Sequence, residues 1–337
     1  MSKILRVAVI GLGWFGELHC ETIQGISDFE LYGISTRNQS RLNEFEQKYS
    51  CTVATNNYHE LIADEMIDLI VICTPPESHA EIAIAALAKN KNVFLEKPIS
   101  DDLENANAIK IAAGKSQGKL FVGHILRTNI RYQQAKIMID DGEIGELLSV
   151  STHRQLPASR TESLLDKTSP FISDAIHDIN LILWFSQIEA GEIYAQTLNK
   201  RNLKNPDLGH ISIKSDSGLL ANIRINWHMP DKTPYLVDES CQIVGTKGYI
   251  HIGSQIDSMH LVNEQGLRVP DLFYWPKRKT GLVGALREEY LSIFNHFRNG
   301  QNSELANVQD AINSLALAIA AEKAARYSEV VRFSLYK

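Results

Sequence analysis

The chain has 337 residues, of which 44% are hydrophobic and 22% charged; this much apolar surface offsets the entropy of ordering, which excludes a disordered chain, and the length favours two domains. The 34 Lys and Arg against 40 Asp and Glu leave a formal net charge of −6, which argues against a nucleic-acid partner. Cys20, Cys51, Cys73 and Cys241 are scattered without a CxxC pair, and no apolar run reaches the roughly 18–20 residues of a spanning helix, so the pattern predicts free thiols in a reducing compartment, no metal site and no membrane partner.

Lys3 and Arg6 flank the start of the apolar run Val7-Ala8-Val9-Ile10. Glycines and a charged helix follow with no A-x-A cleavage site, so the segment predicts a first buried strand, not a secretory leader, in a cytoplasmic protein. Apolar runs at residues 4–10, 29–35, 68–73, 92–95 and 119–122 alternate with amphipathic stretches such as 39–49 and 79–89, whose apolar positions recur three and four apart. That alternation predicts a parallel sheet covered by helices on both faces, a doubly wound Rossmann domain over residues 1–123. Past a helical stretch at 130–141 and the loop Gly142-Glu143-Ile144-Gly145, the texture changes. Segments 210–214, 219–227, 241–244 and 249–252 alternate apolar with polar residues between turns such as Asp216-Ser217-Gly218 and Gly245-Thr246-Lys247-Gly248. They predict a large open antiparallel sheet with one covered face, and helical patterns at 282–298 and 308–327 complete an α+β domain over residues 124–337. The expected fold class is α/β.

Gly11-Leu12-Gly13-Trp14-Phe15-Gly16 matches GxGxxG between the first strand and a helix. In that setting Gly11 permits the tight turn, Gly13 lets a pyrophosphate approach the backbone, and Gly16 lets helix and strand pack closely. The helix start, with Trp14 and Phe15, supplies free N–H groups for the diphosphate. The second strand ends at Ser35-Thr36-Arg37, where an NAD-preferring site usually carries Asp or Glu. Thr36 removes the repulsion toward a 2′-phosphate, and Arg37 and Arg41 offer guanidinium contacts, so NADP is favoured and NAD possible.

Thr74-Pro75-Pro76 and Glu96-Lys97-Pro98 follow later strands, at the carboxyl ends where open α/β sheets bind ligands. The proline after Lys97 constrains the local backbone and so helps fix where the lysine points. His79 stands at the start of the helix after Thr74-Pro75, positioned to cap it or line the nicotinamide pocket. In Asp174-Ala175-Ile176-His177-Asp178-Ile179-Asn180 the three-residue spacing of Asp174 and His177 places both on one face of a continuous helix.

With Val122-Gly123-His124, Arg127, Ile144-Gly145-Glu146 and Gly245-Thr246-Lys247-Gly248, these motifs resemble the glucose–fructose oxidoreductase, inositol dehydrogenase and MocA (Gfo/Idh/MocA) family over almost the whole chain. The resemblance implies a pyridine-nucleotide-dependent oxidoreductase acting on a secondary hydroxyl of a sugar, cyclitol or nucleotide sugar, and dimers or tetramers joined through the open sheet of the second domain. Position by position, Lys97 matches the family's EKP lysine and His177 its helix histidine. His177 then serves as general base and Lys97 as donor to the developing alkoxide, with Asp174 orienting the imidazole. Thr74, Pro75, His79, Glu96 and Lys97 fall to the cofactor; Lys97, Arg127, His153, Asp174, His177 and Tyr235 fall to the substrate. The family often carries Asp where this chain has Ser173 and Asn180. The GHxxR segment looks most like branches acting on nucleotide sugars or free sugars. The competing reading is a non-catalytic dinucleotide-sensing protein on the same fold, which needs the phosphate loop but neither Lys97 nor His177.

Overall fold

The computed structural model describes residues 4–279, 281–301 and 303–335. The chain divides into two units. The first takes residues up to Asn129 together with Phe273–Ile312, and the second takes Ile130–Leu272 and the chain from Asn313 onward.

In the first unit, β1 (Leu5–Ile10), α1 (Trp14–Gln24), β2 (Phe29–Ser35), α2 (Gln39–Lys48), β3 (Val53–Thr55), α3 (Tyr58–Ala63), β4 (Leu69–Ile72), α4 (His79–Ala88), β5 (Asn92–Glu96), α5 (Leu103–Lys115) and β6 (Leu120–Gly123) build a six-stranded sheet of order β3-β2-β1-β4-β5-β6. Every pairing in it is parallel, as the strand–helix alternation requires. All four β4 side chains are buried, each contributing about 1.5–3 kcal/mol relative to exposure. Because β1 lies between β2 and β4, its loop and the loop after β4 open at the point where strand order reverses, the ligand crevice of such sheets.

The second unit contains α6 (Ile130–Asp140), β7 (Leu147–Pro157), α7 (Ala158–Leu165), α8 (Ile176–Ser186), β8 (Ala190–Leu198), β9 (Leu208–Ser215), β10 (Leu220–Met229), β11 (Asp238–Gly245), β12 (Tyr249–Ile252) and the small hairpin β13 (Leu261–Asn263) with β14 (Gly266–Arg268). The chain returns to the first unit through the hairpin β15 (Lys277–Arg278) and β16 (Gly281–Leu282) and helix α9 (Ala285–Asn299). Helix α10 (Val308–Tyr327) begins there and continues in the second unit, where β17 (Val331–Ser334) completes a seven-stranded sheet of order β12-β11-β7-β10-β9-β8-β17.

That sheet is antiparallel except for one central pair, β7 with β10, which runs parallel with Arg224 opposite His153. The alternation that reveals a half-buried strand is blind to partner direction, so it could not announce this pair. β9 alternates buried and exposed residues along most of its length, giving one covered face and one open face. Among the described residues, no helix is long and apolar enough to cross a membrane.

Candidate active site

The turn after β1 has the form a dinucleotide loop needs. Gly11 adopts φ +99°, and a Cβ there would lie 2.7 Å from the backbone of Cys73 and Thr74. A Cβ on Gly16 would lie 1.9 Å from the Gly11 carbonyl oxygen, so α1 packs against the loop only because Gly16 has no side chain. Gly13 differs: nothing lies within 4 Å of its Cβ position, and it starts α1 without a side-chain cap. Free N–H groups at the positive end of a helix beside open space are an anion cradle, and the residues present fit a dinucleotide diphosphate. Trp14 is 54% exposed and meets Trp275 edge-on at 5.5 Å, with Phe15 5.8 Å from the same indole. Trp275 belongs to the returning segment, which carried no local signal linking it to this loop.

At the end of β2 the two arginines differ. Arg41 donates to the Leu12 carbonyl at 3.0 Å, to Glu44 at 2.7 Å and to Glu17 at 2.6 Å, and lies over the Phe45 ring. It thus braces the phosphate loop from behind and is committed to protein partners. The pairing with Glu44, one turn along α2, is local, but the sequence could not show the contacts with Leu12 and Glu17, which lie on the first loop and α1. Arg37 is exposed and forms no ion pair among the described residues. The Thr36 hydroxyl accepts from the Asn38 N–H at 3.4 Å.

His79 is buried, with Nδ1 2.9 Å from the Pro98 carbonyl oxygen and Nε2 2.8 Å from that of Thr74. It ties the turn after β4 to the turn after β5, and burial pushes its pKa down against the pull of those two carbonyls. The Thr74 hydroxyl accepts from Ser78 at 2.9 Å, and the Pro75 carbonyl from the same hydroxyl at 2.8 Å. Lys97 follows β5 directly, is partly exposed, and forms a cis peptide bond to Pro98. Its N–H donates to Glu96 Oε2 at 3.3 Å. Arg127 is buried and bonded to Asp310 at 2.9 Å, so its guanidinium serves an internal ion pair.

In the second unit a single π-helical turn, Phe171–Ala175, leads into α8. Asp174 lies in that wider turn and His177 in the first α-turn, so the continuous α-helix that puts both on one face is interrupted between them. The Asp174 carboxylate is half-buried and forms no ion pair among the described residues. The residue that anchors the histidine helix is its neighbour: Asp178 accepts from Arg154 at 3.0 Å, Arg154 also bonds Glu239 at 2.6 Å, and Arg131 bonds Glu239 at 2.7 Å. Burial pushes the Asp178 carboxyl up, against the opposing pull of Arg154. Asp178 stood in plain view beside His177, but only tertiary structure supplies its partner. Asn180 donates to the Ser314 hydroxyl at 3.0 Å and thereby ties α8 to α10.

His153 points to the opposite side of β7 from Arg154, because successive strand residues alternate. It meets Ser240 at 2.9 Å and Asp238 at 3.7 Å, in a cluster that also includes Gln155 and Ser254. Burial alone would raise the Asp238 carboxyl; its hydrogen bonds with His153, Ser254 and Gln155 hold it at about 2. His153 is therefore joined to the open side of the sheet and not to the Arg154–Asp178 network. Tyr235 lines a polar cavity of about 470 Å³ with Arg160, Asp231 and Arg268, whose walls include neither His177 nor His153.

A parallel sheet with this glycine loop at its switch point, and a lysine at the carboxyl end of β5, defines a dinucleotide-binding oxidoreductase. The sequence matches the family model described as "Oxidoreductase family, NAD-binding Rossmann fold" over residues 5–124 and the "GFO/IDH/MocA C-terminal domain" over residues 132–251, so the chain belongs to the GFO/IDH/MocA oxidoreductase family. It is 26% identical over 333 residues to the myo-inositol 2-dehydrogenase of Thermotoga maritima, covering 95% of this chain and 96% of that one. It is 25% identical over 344 residues to the scyllo-inositol 2-dehydrogenase (NAD(+)) of Bacillus subtilis, covering 97% and 95%. The fold is shared with scyllo-inositol dehydrogenase from Lactobacillus casei with bound NAD(H) and scyllo-inositol, at TM-score 0.83 and 22% identity over 98% of this chain and 99% of that chain.

Proposed function

We propose that this protein is a nicotinamide-dependent dehydrogenase of a cyclitol secondary hydroxyl, with an inositol as the first substrate to test. The observation that carries the reading is the open space at Gly13 beside an uncapped helix start, with Lys97 at the end of β5 in the same unit. Relatives named as inositol dehydrogenases, aligned over nearly their whole length, support the cyclitol over the nucleotide sugar suggested by the GHxxR segment.

A bound nicotinamide supplies the hydride acceptor. The protein's task is the proton: the carbon gives up hydride readily only as its hydroxyl is deprotonated. We assign that proton to His177, and to Lys97 the hydrogen bond that stabilises charge developing on the oxygen. Asp178, through Arg154, holds the helix that carries His177. For the adenosine end, the unpaired Arg37 beside Thr36 supports tolerance of a 2′-phosphate and hence NADP alongside NAD, with Arg41 contributing only through the loop it braces. The four free thiols, two of them buried, support a reducing, cytoplasmic setting. The open face of the β7-containing sheet is the surface we assign to self-association.

The test is turnover of myo-inositol and scyllo-inositol with NAD⁺ and NADP⁺, followed by reduced-nicotinamide absorbance, in the wild type and in Lys97→Ala. Turnover that disappears in Lys97→Ala while cofactor binding is kept supports the assignment. Cofactor binding without turnover on any cyclitol or sugar would favour the dinucleotide sensor.

A further inference from the structure

Beneath Lys97, within the first unit, lies a chain of polar groups that the proposed chemistry does not use directly. Glu96 is 8% exposed, and His19 of α1 and Tyr290 of α9 are 0% exposed. His19 Nε2 stands 3.2 Å from Glu96 Oε1, and His19 Nδ1 stands 2.6 Å from the Tyr290 hydroxyl. The other Glu96 oxygen accepts the Lys97 N–H at 3.3 Å.

The proton positions follow from chemistry. A carboxylate only accepts, so a neutral imidazole facing Glu96 carries its proton on Nε2 and leaves Nδ1 to accept from the phenol. Burial pushes the Tyr290 phenol well up, so it keeps the proton it donates. Both Glu96 oxygens are thus engaged, one by an imidazole oriented from α9 and one by the backbone of the catalytic lysine. Gly123, opposite Glu96 on β6, leaves room for the carboxylate: a Cβ there would stand 2.5 Å from Oε1.

Other titratable groups face this pocket. Burial pushes the Cys20 thiol of α1 and the Cys73 thiol after β4 upward, and Glu289 of α9 is pushed well above the carboxylate range by burial and by Glu96. After β6, His124 is pushed well down by burial and by Arg127 and Lys97, while Arg127 is paired with Asp310. Lys97 and the Arg127–Asp310 ion pair are among the charged groups beside it.

We propose that Tyr290 is a positioning residue for Lys97, acting through His19 and Glu96: it sets the imidazole tautomer that holds the carboxylate, and the carboxylate holds the lysine backbone. This rests on the role assigned to Lys97 above.

The experiment compares Tyr290→Phe, Glu96→Gln, the double variant and Lys97→Ala in the full chain, reading kcat against pH and cofactor affinity together with melting temperature. Tyr290→Phe is expected to lower kcat about ten-fold with cofactor affinity within about two-fold, and to move the basic limb of the kcat profile. Glu96→Gln removes a negative charge beside Lys97 and is expected to move that limb toward lower pH by about one unit. Because Tyr290 acts through Glu96, adding Tyr290→Phe to Glu96→Gln should change kcat by less than about two-fold. Unchanged kcat and pH profile in Tyr290→Phe, or effects that multiply in the double variant, overturn the coupling. So does a lowered melting temperature with the profile intact. Inactive Lys97→Ala beside unaffected Tyr290→Phe defeats the coupling alone, whereas fully active Lys97→Ala defeats the role of Lys97 and the coupling with it. If Tyr290→Phe does not fold, His19→Gln, which keeps a donor toward Glu96 but breaks the link to the phenol, carries the same comparison.

Discussion

Arg154 on β7 donates to Asp178 on α8 at 3.0 Å, and both side chains are almost wholly buried. The pair fixes the first turn of the helix that carries His177, and Glu239 and Arg131 extend it across the second unit. A buried ion pair is weak support for stability when intact, but removing one partner leaves the other charge without compensation. Here Arg154 keeps its ion pair with Glu239, so Asp178→Asn is expected to cost less than a fully orphaned charge would, about 1–3 kcal/mol in unfolding free energy, measured by urea denaturation. Replacing Asn180 by Ala, which breaks its neutral hydrogen bond to Ser314, should cost about 0.5–1.5 kcal/mol for that bond, apart from lost packing.

Two glycines of the phosphate loop should respond differently to the same added methyl. Gly16→Ala drives a Cβ into the Gly11 carbonyl and should lower the melting temperature of the whole protein. Gly13→Ala meets nothing, so the fold should persist while NADH and NADPH binding falls, because the methyl occupies the space of the diphosphate. Calorimetry and fluorescence titration separate the two outcomes. Equal loss of stability in both variants would remove the case for Gly13 as the phosphate-facing residue.

Arg37 and Arg41 also differ. Arg37→Glu should weaken NADPH at least about ten-fold and leave NADH within about two-fold, since it removes a free cation and adds repulsion toward a 2′-phosphate. Arg41→Ala unbraces Leu12 and should weaken both cofactors alike. Parallel titrations with the two reduced cofactors report the pattern.

His124 links stability to pH. Its imidazole is pushed well below the ordinary 6.5, first by burial and then by Arg127 and Lys97. Below about pH 6.5 the unfolded chain binds a proton on this residue that the folded chain does not, so stability is lost as pH falls, by up to about 1.4 kcal/mol per pH unit. His79 is shifted the same way and adds to the slope. His124→Phe should flatten the acid side of the stability profile by one proton while leaving the slope above pH 7 unchanged; urea unfolding at a series of pH values gives both slopes.

Much of this protein is determined by its sequence alone, wherever the physics is local. The repeated change from apolar runs to three-and-four spacing determines the parallel sheet, and the run Gly11 to Gly16 after β1 determines the phosphate loop, because turn, close approach and helix start all fall within six consecutive residues. The lysine after β5 is legible for the same reason. What only tertiary structure decided are the partnerships across sequence: Arg41 with Leu12, Arg127 with Asp310, Asp178 with Arg154, and Glu96 with His19 and Tyr290. It also decided the parallel β7–β10 pair and the π-turn that separates Asp174 from His177. A charged side chain advertises that it needs a partner, but which partner it finds depends on elements brought together by burial of apolar surface, and residue spacing along the chain does not encode that proximity.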